Sequence, residues 1–224
     1  MNFKGNFIKL GQVDSPMLKQ RIQALTSDDW LRDEWRQGEY AVHRSTQTIG
    51  LIFDKDFRHT NPTVHPAYEE LKTELEPVLS AIKRHFNQSI KSKRLYKKNG
   101  SGYFVRINLA KLLPGGTIPE HMDTNFSLTH SHRIHVPVVT NDQVMFSVGG
   151  EIKHLGEGEL WEINNKKAHW VRNNSGEARI HLIFDWVIPG EACCCGRRKH
   201  PTIPCSPRAC AETSDMPQPC QCYG

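Results

Sequence analysis

From Tyr103 to Val187 the chain is written in short apolar runs divided by turn residues, and this rhythm restricts its fold more than any other feature. Phe104-Val105-Arg106-Ile107-Asn108-Leu109-Ala110-Lys111-Leu112 alternates and stops at Pro114-Gly115-Gly116. Runs from Arg133 to Val139, Val144 to Val148, Glu159 to Ile163 and Arg179 to Val187 follow, with Asn, Asp and Gly between them. Val, Ile, Phe and Trp on a period of two suit strands, while the intervening residues force turns. Many short strands spaced in this way build an antiparallel sandwich or barrel, and the jelly roll is the version that gathers side chains of separate strands at one mouth. The expected fold class is mainly β with accessory helices around a jelly-roll core.

Within that region lies a set of residues with metal chemistry. His121 and Asp123 are one residue apart, and His169 follows much later in Lys167-Ala168-His169-Trp170. Residues i and i+2 of a strand project from one face and can bind one ion side by side. The stretch from Thr117 to Asn125 has Gly115-Gly116 before it and Pro119 inside it, so it is a poor helix. A zinc protease would more often use histidines at helical i, i+4 spacing. Two histidines and one carboxylate are the ligand set of a facial-triad non-haem Fe(II) oxygenase, which leaves three positions for a keto-acid chelate and O2. Arg179, ten positions beyond His169, can hold the far carboxylate of 2-oxoglutarate. Its planar fork matches a carboxylate in two bonds and stays charged inside a barrel.

A His-x-Asp pair alone says little in a chain with twelve histidines; the ordered blocks around it say more. Leu113-Pro114-Gly115-Gly116-Thr117-Ile118-Pro119-Glu120-His121-Met122-Asp123, His132-Arg133-Ile134-His135-Val136-Pro137, Ala168-His169-Trp170-Val171-Arg172-Asn173 and Arg179-Ile180-His181-Leu182-Ile183-Phe184-Asp185 together resemble the aspartyl/asparaginyl β-hydroxylase family of Fe(II)/2-oxoglutarate-dependent oxygenases. The likeness runs from about Tyr103 to Pro189, with a looser one from His43 to Ile49. It implies a double-stranded β-helix core of the cupin-like jelly-roll type. It also implies that His121, Asp123 and His169 ligate iron, that Arg179 pairs with the distal carboxylate of 2-oxoglutarate, and that Arg133 and His135 line the co-substrate side of the pocket. The implied reaction consumes 2-oxoglutarate and O2, releases succinate and CO2, and hydroxylates an Asp, Asn or Pro side chain, free or in a peptide or protein. The best-known vertebrate member has glycine where Asp123 stands, so this chain looks more like the bacterial and phage-type branch. That difference weakens transfer of the vertebrate substrate.

Other readings attach to the same residues. His135 also suits a hydrogen-bonded barrel histidine, Arg179 an interior ion pair, and His181 a structural place beside Arg179; His130 and His132 read as loop residues. Trp170 and Trp186 suit core or wall positions. A silent metal- or ligand-binding β-helix would be marked by loss of the arginine, which is present. A zinc hydrolase lacks a water-activating Glu motif here, since Glu120 is the only adjacent acid. A peptide- or nucleic-acid-binding accessory role would rest on Lys91 to Lys98, which reads as a solvated connector; a net charge of +5 does not establish nucleic-acid binding.

The 224 residues, 38% hydrophobic, suffice for one sizeable core with a small accessory region. No apolar run approaches the ~20 residues of a membrane helix, and Met1 to Gly11 lacks the apolar centre of a signal peptide, so a cytoplasmic protein without a membrane partner is expected. Residues 1–98 read as accessory helices and strands packing on the core, 99–190 as the catalytic β-helix, and 191–224 as a Cys/Pro-rich tail. A helix is expected from Pro16 to about Leu25. A second, from Pro66 to Asn87, should be kinked or divided at Pro77. Val42 to Phe53 reads as β-type, with Gln47 and Ile49 towards the pocket entrance if the family likeness extends there. All seven cysteines lie beyond Glu191, without metal-ribbon spacing, in a segment that reads as a flexible appendage.

Overall fold

The computed structural model describes residues 3, 5–31, 45–54, 62–123, 128 and 131–191. In chain order the elements are β1 (Phe7–Gln12), α1 (Pro16–Gln23), α2 (Ser27–Leu31), β2 (Thr46–Asp54), β3 (Pro62–Val64), α3 (Pro66–Gln88), α4 (Ile90–Asn99), β4 (Tyr103–Leu112), β5 (Thr117–His121), β6 (His132–Val139), β7 (Val144–Val148), β8 (Glu151–Lys153), β9 (Glu159–Ile163), β10 (His169–Asn173) and β11 (Arg179–Val187). A seven-stranded sheet runs in the order β1-β9-β6-β11-β4-β2-β3, and a four-stranded sheet in the order β5-β10-β7-β8. From β4 onward the chain passes back and forth between the sheets. That alternation of antiparallel strands makes the core a double-stranded β-helix.

Period-two alternation gives the large sheet two different faces. Ile180, Leu182, Phe184 and Trp186 of β11 join Ile134, Val136 and Val138 of β6 in a core shared with α1 and α3. Helix α3 supplies Leu71, Leu75, Val78, Leu79, Ile82 and Phe86, one apolar stripe along the helix, each burial stabilising by roughly 1.5–3 kcal/mol. The other face meets the small sheet through Leu112, Ile163, Phe146, Val148 and Val171. Arg179, His181, Ile183 and Asp185 therefore line the space between the sheets. Pairing extends that inner surface sideways: His181 lies opposite Ala110 and Pro137, Ile183 opposite Asn108 and His135, and Asp185 opposite Arg106 and Arg133.

The turn into β5 needs its glycines. Gly115 has φ +67, and a Cβ on Gly116 would come within 2.8 Å of the Leu113 carbonyl oxygen. Pairing of β5 with β10 follows directly from this turn.

Several expectations are corrected. Pro77 does not divide α3, because Thr73 and Pro77 both lie on the exposed side, where water can satisfy the freed carbonyl. The Lys91–Lys98 cluster is helical: α4 starts at Ser89, whose hydroxyl accepts from the Ser92 N–H at 2.9 Å, and ends at Gly100 with φ +91. Ile49 pairs with Leu109 and sits in the helix-side core, so Gln47, two residues before it, shares a face turned away from the barrel interior. Thr46 and Thr48 take the inward places.

His132 is the first residue of β6, not a loop residue, and it is buried. Its Nδ1 donates to Glu162 Oε1 and its Nε2 to Glu191 Oε2, each at 2.7 Å. Glu191, expected to open the tail, is itself buried and also accepts from Lys91 Nζ at 2.7 Å. The first 98 residues contribute β1, β2 and β3 to the large sheet by direct pairing. No helix among the described residues is long and apolar enough to cross a membrane. His43, Arg44, His130 and the seven cysteines lie outside the described residues.

Candidate active site

Strand β5 delivers His121 at its last residue, directly opposite His169 at the first residue of β10. Pairing across an antiparallel ladder puts both side chains on one face. The imidazole centroids stand 4.3 Å apart. Asp123 comes two residues after His121, and its N–H donates to the Asn165 carbonyl at 3.1 Å, just before β10. One ligand atom from each of His121, Asp123 and His169 falls within 4.8 Å of the others.

The hydrogen bonds behind these residues choose the metal-binding atoms. His121 Nδ1 is 2.8 Å from the Pro119 carbonyl and His169 Nδ1 is 2.9 Å from the Lys167 carbonyl. A carbonyl only accepts, so each ring carries a proton on Nδ1, which leaves Nε2 as the nitrogen available to a metal. Burial lowers the His169 pKa, only partly opposed by Asp123, and keeps it in the neutral form a metal needs. Burial works to raise the Asp123 pKa, but Arg133, His169, His121 and the Asn165 amide outweigh it and hold the carboxyl below its usual range. The set is two imidazoles and one carboxylate.

Asp123 Oδ2 accepts from Arg133 Nη1 at 2.6 Å and from Asn165 Nδ2 at 3.0 Å. Arg133, expected on the co-substrate side, spends its other two nitrogens on Asp185: Nε donates to Oδ1 at 2.9 Å and Nη2 to Oδ2 at 2.8 Å. This is a two-bond fork between neighbouring strands β6 and β11.

A second cluster surrounds Arg179, which is 1% exposed. Its Nη2 donates to His181 Nδ1 at 2.5 Å, so the His181 proton must sit on Nε2. His135 Nδ1 lies 3.5 Å from the same His181 nitrogen. Burial, followed by the charge of Arg179, drives both histidines well below the ordinary imidazole range, so both are neutral. Burial brings the Arg179 pKa down to about 9, which leaves it charged at neutral pH. Arg179 Nε and His181 Nε2 are buried donors without a hydrogen-bond partner among the described residues. A fixed positive charge with orphaned N–H groups is a donor set for an anion.

Phe146 sets the depth of this cluster. Its ring lies 6.0 Å from the Arg179 guanidinium and 5.0 Å from the His135 ring. On β7 it stands two residues from Val148, which pairs with His169. Two residues along a strand span roughly 7 Å, so the arginine cluster sits about one such step from the metal ligands.

Asp185, Asn165 and His181 were undervalued from sequence. Asp185 ends the block that begins at Arg179 and shares its inward period, a signal visible in the alternation itself. Asn165 stands in a turn, and nothing local marks it.

The family described as Aspartyl/Asparaginyl beta-hydroxylase matches residues 69–189. That span is more than half of the chain; it begins within α3 and includes all six expected site residues. No curated protein matches the chain. Among solved structures, the chain is similar to an oxidoreductase of the 2OG-Fe(II) oxygenase family from Burkholderia pseudomallei, with 13% identity, 79% of this chain and 91% of that chain covered, and a TM-score of 0.49. A viral collagen prolyl hydroxylase from Paramecium bursaria Chlorella virus-1 has 10% identity, with 82% of this chain and 96% of that chain covered and a TM-score of 0.46. A Pseudomonas putida prolyl-4-hydroxylase has 11% identity, with 82% and 93% covered and a TM-score of 0.46.

Proposed function

This chain belongs to the aspartyl/asparaginyl β-hydroxylase family and is an oxygenase of that family, and from that premise we propose that His121, Asp123 and His169 hold Fe(II) while Arg179 holds the distal carboxylate of 2-oxoglutarate. The observation that carries the reading is the disposition of the two imidazoles. Each is pinned through Nδ1 to a backbone carbonyl two residues earlier, with its Nε2 left for a shared ion beside an ionised carboxylate. The donor set matches the facial triad.

The Arg179 cluster fits the co-substrate. Its orphaned donors, buried charge and distance from the metal ligands suit the far end of a five-carbon diacid whose near end chelates the metal. His135 contributes a neutral wall, beside Phe146, that excludes water from the carboxylate. Fe(II) with 2-oxoglutarate and O2 supplies an oxidative decarboxylation that yields succinate, CO2 and one oxygen atom for insertion into a C–H bond. The chain's own part is to hold these groups on one side of the barrel and, through burial, to favour the neutral form of His169. The prime substrate is an amino-acid side chain, Asp, Asn or Pro, free or within a peptide or protein.

The test is incubation with Fe(II), 2-oxoglutarate and pools of free amino acids and peptides, with succinate measured and products weighed for one added oxygen. Succinate formation dependent on both metal and His169 supports the assignment. Absence of any 2-oxoglutarate turnover in iron-loaded protein across such pools would refute it.

A further inference from the structure

Asp185 is fully buried, at 0% exposure, on the inner face of the large sheet, and neither metal nor co-substrate binding as described requires it. A buried carboxylate is costly unless paired. Its partner is Arg133, and Arg133 is also the partner of Asp123. We propose that Asp185 is a positioning residue for the metal centre: it fixes the Arg133 guanidinium, and the guanidinium in turn holds the Asp123 carboxylate in one orientation beside His121 and His169. This deepens the metal reading above and rests on it.

The geometry gives each atom a task. Asp185 takes the Nε and Nη2 side of the guanidinium in two parallel bonds, which fixes the plane of the fork. Nη1 then has one direction left, and it meets Asp123 Oδ2 at 2.6 Å. Asn165 Nδ2 donates to the same oxygen, while its amide also reaches the Leu128 carbonyl at 3.0 Å. Oδ2 thus accepts two bonds and also lies 3.9 Å from His169 Nε2. The carboxylate is thereby fixed against the imidazole that would share its metal.

Charge points the same way. Asp123, Arg133 and Asp185 set two carboxyl side chains against one guanidinium, a balance that favours a dication at the Asp123 end. Arg106 stands opposite Asp185 on the other neighbouring strand, with its guanidinium 4.6 Å from the Phe53 ring. Without the Asp185 charge, Arg133 loses its two-bond fork and bears more strongly on Asp123, in competition with the metal. The pair is therefore expected to govern metal affinity as well as strand register.

The experiment is Co(II) titration of the full chain, followed by visible absorption, with thermal unfolding of the metal-free protein alongside. Asp185→Asn keeps the shape and removes the charge. It should weaken Co(II) binding by about ten- to a hundredfold, the usual effect of losing a group that orients a ligand. Phe86→Leu, in the helix-side core, should lower thermal stability and leave Co(II) affinity at the wild-type value. Arg133→Lys keeps the charge but loses the fork, and it should show the same weakening; it decides the matter if Asp185→Asn does not fold. The double variant should bind no worse than the weaker single, because the two act in series. Wild-type affinity in either folded single variant, or additive losses in the double, would overturn the proposal. Failure of the wild-type protein to bind Co(II) would instead refute the metal reading itself.

Discussion

His121 and His169 face each other across the β5–β10 ladder with ring centroids 4.3 Å apart, and each is pinned by a hydrogen bond from Nδ1 to the carbonyl two residues before it. The orientation of both rings is thus set by strand pairing and local backbone. His169→Ala should abolish metal-dependent succinate formation, read by succinate assay at saturating iron and 2-oxoglutarate. Wild-type turnover in that variant would remove His169 from the ligand set. Asp123→Ala should cost nearly as much.

Arg179 is the buried cation proposed to hold the co-substrate. Arg179→Lys keeps a positive charge but loses the two-bond geometry, and a charge-assisted hydrogen bond is worth about 1.5–3 kcal/mol. The KM for 2-oxoglutarate should therefore rise on the order of ten- to a hundredfold, with Co(II) affinity unchanged. A folded Arg179→Lys protein with unchanged KM would move carboxylate recognition elsewhere.

The clamp of His132 between Glu162 and Glu191 should give stability a pH signature. Burial alone would lower the His132 pKa, but Glu162 and the hydrogen bonds to both carboxylates outweigh it, and the net shift is upward from 6.5. Burial would raise Glu162 and Glu191, yet His132 holds both below 4.5. The histidine's contribution is fully present below 6.5 and is lost as pH rises through its raised value; the carboxylates' contribution is present above 4.5 and is lost as pH falls through their lowered values. The clamp is whole between about 4.5 and 6.5. Urea midpoints of wild type and His132→Gln should differ most near the middle of that window and converge as pH rises above it. A constant difference would show that His132 stays in one protonation state throughout.

Glu191 is buried and bonded to His132, one residue past the core boundary that composition suggests. A chain ended at Ala192 should retain 2-oxoglutarate turnover and thermal stability under reducing conditions. A chain ended at Gly190 loses the bonds to His132 and should unfold at lower temperature, since an unpaired buried polar group costs about 1–3 kcal/mol. Equal stability of the two truncations would remove the anchor. Loss of turnover in the longer one, with normal folding and iron content, would assign the cysteine-rich segment a part in the active site.

The sequence by itself determined the strand rhythm, the residue types that meet at the candidate site and the arginine that follows them, because each is a local signal: period-two alternation, His-x-Asp spacing, and a cation in step with an apolar strand. It also marked α3 through its apolar stripe. The α4 helix escaped notice because its ten residues are mostly basic and lack such a stripe, although Ser89 and Gly100 mark its ends. Tertiary structure alone decided who partners whom. Arg133 meets Asp185 across 52 residues and His132 meets Glu191 across 59, through the β6–β11 pairing and the turn after β11. Alternation tells which face a side chain occupies, but not which strand lies beside it. A buried charge is stabilised only by the neighbour that folding brings into hydrogen-bond range, so the Asp185 and Asp123 partners of Arg133, and the place of His132 in a strand, were not legible until the sheets were paired.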